Sequence, residues 1–156
     1  MKRILITGMS GVGKSAVIAS LRTKAFACID MDEPGWSYID DQGHQRWHID
    51  RLRQAMHDAS NDLLFVAGCS EDQALLYDEF AAVILLSLPS STLLHRIQNR
   101  TENPYGKTSA ELDYILQNLV ETEPLLRKRC THEIITTKPL PTVVDRVLDI
   151  SCPTSR

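Results

Sequence analysis

Long hydrophobic runs are missing from this chain of 156 residues. The apolar stretch nearest the N-terminus, "ILIT", stops after Thr7, far short of the ~20 apolar residues that a membrane-spanning helix needs. It is also shorter than the apolar part of a secretory signal peptide. We therefore expect a cytoplasmic protein without a membrane segment.

Paired cysteines and an excess of positive charge are absent as well. The cysteines are Cys28, Cys69, Cys130 and Cys152, with no C-x-x-C pair and no histidine at zinc-finger spacing, which excludes those metal sites and favours free thiols in a reducing compartment. The net charge is −3, so general attraction to a nucleic-acid backbone is not expected. A small, locally recognised ligand is favoured instead.

Short apolar runs alternate with longer segments of helical periodicity, which is typical of a parallel sheet covered by helices. The predicted strands are Arg3–Thr7, Ala27–Met31, Leu63–Ala67, Ala82–Leu88 and Glu133–Thr136. The predicted helices are Lys14–Thr23, Arg46–Ser60, Glu71–Phe80, Ser90–Arg100, Ser109–Arg129 and Pro141–Ile150. Segments 32–45 and 101–107 are rich in Gly, Pro, Asn and Asp and are predicted loops. No repeat or long linker divides the chain, so residues 1–156 form one predicted α/β domain.

Two helix starts carry capping signals. In "SLPSSTLLHRI" a serine precedes an apolar helical period and is predicted to cap it. In "GKTSAELDYI" the residues "TSAE" have the spacing of a capping box, so the next helix should begin near Ser109.

The stretch "GMSGVGKS", from Gly8 to Ser15, fits the pattern G-x-x-x-x-G-K-S/T between a predicted strand and a predicted helix. Glycines let successive backbone N–H groups point at a phosphate, and the helix directs its positive end to the same place. Lys14 then reaches the outer phosphates, and the Ser15 hydroxyl can ligate Mg²⁺. The predicted nucleotide-binding residues of this loop are Gly8, Ser10, Gly11, Val12, Gly13, Lys14, Ser15 and Ala16.

Two carboxylates follow the second predicted strand. Asp30 and Asp32 are two residues apart and should project to the same side at the carboxyl edge of the sheet, beside the phosphate loop. One can hold the Mg²⁺ shell, and the other can accept a proton from an attacking hydroxyl. The guanine-recognition string N-K-x-D does not occur, and Gly68 stands where motor ATPases usually have an acid. The pattern favours phosphoryl transfer.

Nearly the whole chain resembles the small phosphate-loop (P-loop) kinases, such as shikimate kinase, gluconate kinase, adenylate kinase and chloramphenicol phosphotransferase. The stretches that carry this resemblance are "GMSGVGKS", "DMD", "VAGC" and "HRIQNR". This resemblance implies the three-layer α/β/α P-loop NTPase fold, with a five-stranded parallel sheet in the order 2-3-1-4-5. It also implies that Asp32 is the catalytic base and that Asp30 holds the metal with Ser15.

The same resemblance assigns roles to residues in the second half of the chain. Arg96 is expected at the adenine and Arg100 at the phosphates, where Arg100 joins Lys14 and Asp32 as a catalytic residue. Segment 101–108 is expected to be a short lid that brings Lys107 over the transferred group. Lys138 and Pro139 are expected to line the adenine pocket.

The acceptor is expected to bind at loop 32–45 and the helix that follows it. The predicted acceptor contacts are Asp32, Trp36, Trp47, His48, Arg51, Gly68 and Lys107. His48 stands where shikimate kinases present an arginine, and "AGC" replaces their run of glycines, so shikimate is not the expected acceptor. Adenylate kinase activity is not expected either, because the segments are too short for its inserts.

Three functions remain open on the sequence. The first is an ATP- and Mg²⁺-dependent kinase acting on a small hydroxyl compound or a nucleotide, as a monomer or homodimer. The second is a nucleotide-binding regulatory module with weak ATPase activity. The third is a polynucleotide end kinase, which only the locally basic "HQRWHIDRLRQ" supports.

Overall fold

A five-stranded parallel sheet runs through the centre of the computed structural model, which describes residues 1–153. The strands of the chain are β1 (Lys2–Thr7), β2 (Ala27–Asp30), β3 (Ser37–Ile39), β4 (Gln45–Trp47), β5 (Leu63–Ala67), β6 (Ala82–Ser87) and β7 (His132–Ile135). The sheet order is β2-β5-β1-β6-β7, and every neighbouring pair is parallel. Counted without the short strands β3 and β4, this is the predicted order 2-3-1-4-5, which is confirmed.

Side chains alternate between two apolar layers on either side of this sheet. In β1, Ile4 and Ile6 pack into the layer that contains Val17 of the first helix, whereas Leu5 packs into the layer that contains Leu52. Because strands covered on both faces must be apolar throughout, the central strands are the most hydrophobic segments of the chain. The apolar composition of these strands therefore already indicates a sheet with helices on both faces.

The helices are α1 (Lys14–Thr23), α2 (Ile49–Asp58), α3 (Ser90–Asn99), α4 (Ser109–Glu121), α5 (Glu123–Arg129) and α6 (Leu140–Ser151). The predicted helix Ser109–Arg129 is wrong in one respect, because it is interrupted at Thr122. Pro124 explains the break, since its nitrogen has no hydrogen to donate to a preceding helical carbonyl.

The predicted helix Arg46–Ser60 is wrong at its start. Residues 45–47 form β4, which pairs antiparallel with β3, and we call residues 37–47 the hairpin. The Trp47 backbone N–H donates to Asp72 Oδ2 at 2.9 Å, and Arg46 forms an ion pair with Asp72 at 2.6 Å. These contacts with a distant segment outweigh the local helical pattern. Part of the predicted loop 32–45 is thus a strand.

The predicted helix Glu71–Phe80 is also wrong, because this segment forms two short 3-10 helices, Glu71–Leu75 and Tyr77–Glu79. The first begins with a capping box between Ser70 and Gln73. Gln73 is buried and turns its side chain toward β1, where the Thr7 hydroxyl donates to its Oε1 at 3.0 Å. That inward contact sets the path of the segment.

The two predicted caps have different outcomes. Thr108 caps α4 as predicted, because its Oγ1 accepts from the Glu111 N–H at 3.2 Å. The Glu111 carboxylate, however, accepts from the Gly106 N–H at 3.4 Å and not from Thr108. The predicted serine cap of α3 is wrong, since this helix follows Pro89 without a side-chain cap bond.

The four cysteines all lie within residues 1–153 and are free thiols. Cys28 is half-buried, and this burial raises the pKa of its thiol to about 11. Across residues 1–153, none of the helices has the length and apolar character needed to cross a bilayer.

Candidate phosphate-binding and acceptor site

The predicted phosphate loop connects β1 to α1. Gly13, the residue before the helix, has a φ of +107°, a conformation that side chains with a Cβ rarely adopt. At Gly8 the constraint is space, because an added Cβ would overlap the carbonyl oxygen of Leu86 in β6. The loop is thus packed closely against the sheet at Gly8. This geometry fits a phosphate group at the N-terminus of α1.

Lys14 lies at the centre of the loop. Its Nζ donates to the carbonyl oxygens of Gly8 at 2.5 Å and Met9 at 3.0 Å. Burial is the main cause that lowers the pKa of Lys14, and the nearby Arg100 guanidinium acts in the same direction, whereas the Asp32 carboxylate opposes them. The contact of Arg100 with a phosphate group stays a prediction.

Asp30 and Ser15 meet beside the loop. The Ser15 hydroxyl donates to Asp30 Oδ2 at 3.3 Å, and the buried Asp30 also accepts the Asp32 N–H at 3.0 Å through Oδ1. Within residues 1–153, no group of three or more His, Cys, Asp or Glu side chains forms a metal cluster. Two oxygen ligands are what Mg²⁺ typically takes from a protein when phosphates and water supply the others, so Ser15 and Asp30 fit this ion.

Asp32 is exposed and faces the same cavity as Lys14. The side-chain amide of Gln45 donates to Asp32 Oδ1 at 2.9 Å, and the Gln45 carbonyl accepts the Ser70 hydroxyl at 2.9 Å. The hairpin therefore orients the carboxylate from the other side of the cavity. Gln45 was missed on the sequence, because nothing local indicates that β4 returns to Asp32.

The cavity that contains Lys14 and Asp32 has a volume of about 820 Å³. Its floor is the phosphate loop, and its walls come from the hairpin, the two 3-10 helices, segment 101–108, α4 and α5. Wall residues that the sequence analysis missed include Tyr77, Tyr105, Tyr114 and Arg129. These residues are far apart in the chain and share no motif, so no sequence signal would have grouped them.

The two predicted arginines, Arg96 in α3 and Arg100 directly after it, contact different neighbours. Arg96 donates through Nη2 to the Thr136 carbonyl at 2.7 Å, next to the end of β7. Arg100 donates to the Tyr105 carbonyl at 2.6 Å, and its Nε is buried without a partner among the described residues. The division of Arg96 to adenine and Arg100 to phosphate stays a prediction, and the positions of both are compatible with it.

Lys107 lies in the predicted lid, and its Nζ donates to the carbonyl of Arg100. In this position the ammonium group is turned back to the end of α3. Gly106 packs closely on Ile97 and Ile115, where a Cβ would lie 2.8 Å from Ile115 Cδ1. A lid motion that would carry Lys107 over a ligand stays a prediction.

Lys138 and Pro139 are exposed residues between β7 and α6. The Thr136 hydroxyl, two residues earlier, donates to the Val12 carbonyl at 2.8 Å and ties this segment to the phosphate loop. Lys138 and Pro139 therefore closely follow a residue that contacts the phosphate loop. Their role at adenine stays a prediction.

Of the seven predicted acceptor residues, only Asp32 lines the cavity with Lys14. Trp47 is 2% exposed, and the Arg51 guanidinium lies over the Trp36 ring at 4.1 Å from its centroid. A second cavity, of about 530 Å³, is bordered by Trp47, His48 and Arg51. Their contact with an acceptor remains a prediction that this geometry does not favour.

Gly68, another predicted acceptor residue, is a packing position. A Cβ at Gly68 would lie 2.8 Å from Met31 Cβ and 2.9 Å from Trp47 Cζ2. Both neighbours are buried, so neither can move aside easily. The absence of a side chain at Gly68 lets the hairpin pack on β2 and β5.

Gly68→Ala is expected to lower the free energy of unfolding by about 1–3 kcal/mol, the usual effect of an oversized core group. Urea denaturation followed by circular dichroism measures this change. Ser91→Ala, at an exposed position of α3, is the control and should leave the midpoint unchanged. An unaltered midpoint for Gly68→Ala would show that the packing around Gly68 accommodates a methyl group.

The family model described as an AAA domain, AAA_18, matches residues 4–123. The chain belongs to this family. The prediction of a P-loop domain of the NTPase superfamily, similar to the small kinases, is thereby confirmed. A nucleotide-binding protein of Paraburkholderia xenovorans is 31% identical to this AAA domain in an alignment of 140 residues that covers 83% of the chain. The chain spans 43% of the length of that relative.

Solved structures of small kinases share the fold of this AAA domain. A shikimate kinase from Acinetobacter baumannii superposes with a TM-score of 0.66 at 16% identity, covering 96% of this chain and 92% of that one. A shikimate kinase from Bacteroides thetaiotaomicron superposes with a TM-score of 0.62 at 20% identity, covering 96% of this chain and 97% of that one. A gluconokinase from Sinorhizobium meliloti superposes with a TM-score of 0.56 at 22% identity, covering 94% of this chain and 89% of that one. At such identities the likeness establishes the fold.

Proposed function

We propose that this protein is a kinase that transfers the γ-phosphoryl group of ATP to a hydroxyl group of a small molecule. The observation that carries the proposal is that Lys14 of the phosphate loop and the exposed carboxylate of Asp32 line one cavity. An acceptor bound in this cavity would have Lys14, an anion-binding group, and Asp32, a proton acceptor, beside it. The shared fold with shikimate kinases and a gluconokinase supports the same conclusion.

The residues present account for each part of an in-line transfer. The acceptor oxygen forms a bond to the γ-phosphorus, the bond from that phosphorus to the β-phosphate oxygen breaks, and the hydroxyl proton passes to Asp32. The products are ADP and a phosphate monoester. Lys14 and Arg100 offset the negative charge on the phosphoryl oxygens. Ser15 and Asp30 would hold a Mg²⁺ ion, which would supply positive charge to the phosphates.

A second candidate is a nucleotide-binding regulatory module with weak ATPase activity. The observation that favours it is the relative from Paraburkholderia xenovorans, which is named for nucleotide binding alone. In that case ATP binds at the loop and no small acceptor raises its consumption. The cavity beside Asp32 favours the kinase, because a module that only binds nucleotide has no need of a proton acceptor there.

Consumption of ATP with and without pools of hydroxyl compounds tests the proposal. We expect at least one pool to stimulate ADP release, and mass spectrometry should detect the matching phosphate monoester. ATP binding without stimulation by any pool would favour the regulatory module. A monoester formed only on oligonucleotide ends would indicate an end kinase.

A further inference from the structure

The cavity that contains Lys14 is also lined by aromatic and aliphatic side chains. Of the ten large hydrophobic side chains that are exposed among the described residues, four line this cavity: Ile39, Tyr105, Tyr114 and Leu125. Exposed apolar groups that converge on a concave site usually contact a ligand. The acceptor therefore has an apolar face to place against them.

Tyr77 provides a rigid surface in the same cavity. Its hydroxyl accepts from Gln73 Nε2 at 2.8 Å, and Gln73 Oε1 accepts from the Thr7 hydroxyl at 3.0 Å. Because Thr7 is the last residue before the phosphate loop, this chain of hydrogen bonds fixes the tyrosine relative to the loop. A flat ring is the shape that such an aromatic surface binds best.

Arg129 supplies a positive charge in this cavity. Its guanidinium lies 4.9 Å from the centroid of the Tyr77 ring and makes no hydrogen bond or ion pair with any described residue. The acidic groups nearby are already engaged, because Glu123 and Glu133 pair with Arg127. The N–H groups of Arg129 are thus available to an anion, which a guanidinium binds in a forked geometry.

The other charged groups of the cavity have assignments. Lys14 belongs to the phosphate loop, Asp32 to the reacting hydroxyl, and Glu71 pairs with Arg46 of the hairpin. Arg129 is the guanidinium that lines the cavity and remains without a partner in the described part of the chain.

We infer that the acceptor is a ring compound with one anionic group, a carboxylate or a phosphate, that binds Arg129 while its ring lies against Tyr77 and Tyr114. This inference rests on the proposed function, since it names the substrate class of the same site. The reacting hydroxyl then lies at the opposite end of the molecule, next to Asp32.

Six acceptors that vary the ring and the charge independently test the inference. The first two acceptors, 4-(hydroxymethyl)phenyl phosphate and 4-(hydroxymethyl)benzoate, combine a ring with an anion opposite the hydroxyl, and they separate a phosphate from a carboxylate. The neutral analogues 4-methoxybenzyl alcohol and 4-(hydroxymethyl)benzamide keep the ring without the charge, gluconate has the charge without the ring, and xylitol has neither. We expect one of the two charged ring compounds to have the highest kcat/KM.

The variant Arg129→Ala is expected to raise the KM of the charged ring compound about tenfold, the usual effect of losing one charge-assisted contact, while the KM of its neutral analogue changes little. Arg129→Lys should recover part of the loss. Lys128→Ala is the matched control, because this neighbouring lysine is exposed and does not line the cavity. Tyr114→Ala should raise the KM of charged and neutral ring compounds alike.

Two results separate the inference from the proposed function. Preferred phosphorylation of gluconate or xylitol, or an equal effect of Arg129→Ala on the KM of charged and neutral acceptors, would overturn the inference. The proposed kinase function would be unaffected by either result. Transfer to none of the six compounds and to none of the pooled hydroxyl compounds, in a protein that binds ATP, would overturn the kinase and the inference together.

Discussion

Lys14→Ala is expected to lower kcat/KM for phosphoryl transfer by about 10²–10³-fold, as the loss of one preorganised donor to a developing charge does in other enzymes. The lysine Nζ is held by the carbonyl oxygens of Gly8 and Met9, so the charge is already positioned over the loop when ATP arrives. Binding of ATP should weaken as well, because the same ammonium group contacts the outer phosphates. Steady-state kinetics and titration calorimetry measure the two effects.

Lys24→Ala is the control for this variant. Lys24 is exposed just beyond the end of α1, so its substitution removes one positive charge without changing the phosphate loop. We expect kcat/KM for transfer and the dissociation constant of ATP to stay near those of the parent protein. Equal ATP affinity in Lys14→Ala and the parent protein would exclude a contact of Lys14 with the phosphates of bound ATP.

Asp32→Asn is expected to reduce kcat by about 10²–10⁴-fold, the range for removal of a general base, while ATP binds almost as before. The amide has the size of the carboxylate and leaves an oxygen that can accept the Gln45 bond, but it cannot take up the hydroxyl proton. Since Asp30 and Ser15 are unchanged, the candidate metal site is kept. Asp32→Ala should have a similar effect on kcat.

Asp41→Asn is the matched control, because Asp41 is exposed in the turn of the hairpin and does not line the cavity. The measurement is kcat with a saturating acceptor from the stimulating pool, together with the dissociation constant of ATP. Transfer at the parental rate in Asp32→Asn would exclude Asp32 as the base. A parallel loss of ATP binding would instead place Asp32 at the nucleotide.

The central sheet and the phosphate loop were predictable from the sequence because each depends on neighbours in the chain. Strands such as Leu63–Ala67 are apolar throughout, and Gly8 to Ser15 form one short motif between a strand and a helix. The position of Asp30 beside the phosphate loop was also predictable, since the carboxyl ends of the strands of a parallel sheet lie at one edge. The predicted start of α4 at Ser109 was confirmed for the same local reason.

The hairpin was not predictable from residues 37–47 themselves. Its strands have three residues each, and the sequence around Arg46 and Trp47 also fits the start of a helix. The decision comes from Asp72, which binds both the Arg46 guanidinium and the Trp47 N–H from another part of the chain. The same dependence on distant contacts placed Trp47 in the core.

The amino-acid sequence by itself determined that a parallel sheet carries a phosphate loop with a lysine, a serine and two nearby acids, because these features lie within single segments or follow from strand order. Only the tertiary structure decided which side chains surround an acceptor. Tyr77, Tyr114 and Arg129 belong to three separate segments, and they share a cavity with Lys14 only after those segments pack together. Packing between distant segments depends on shape and on competing contacts, which no local pattern records.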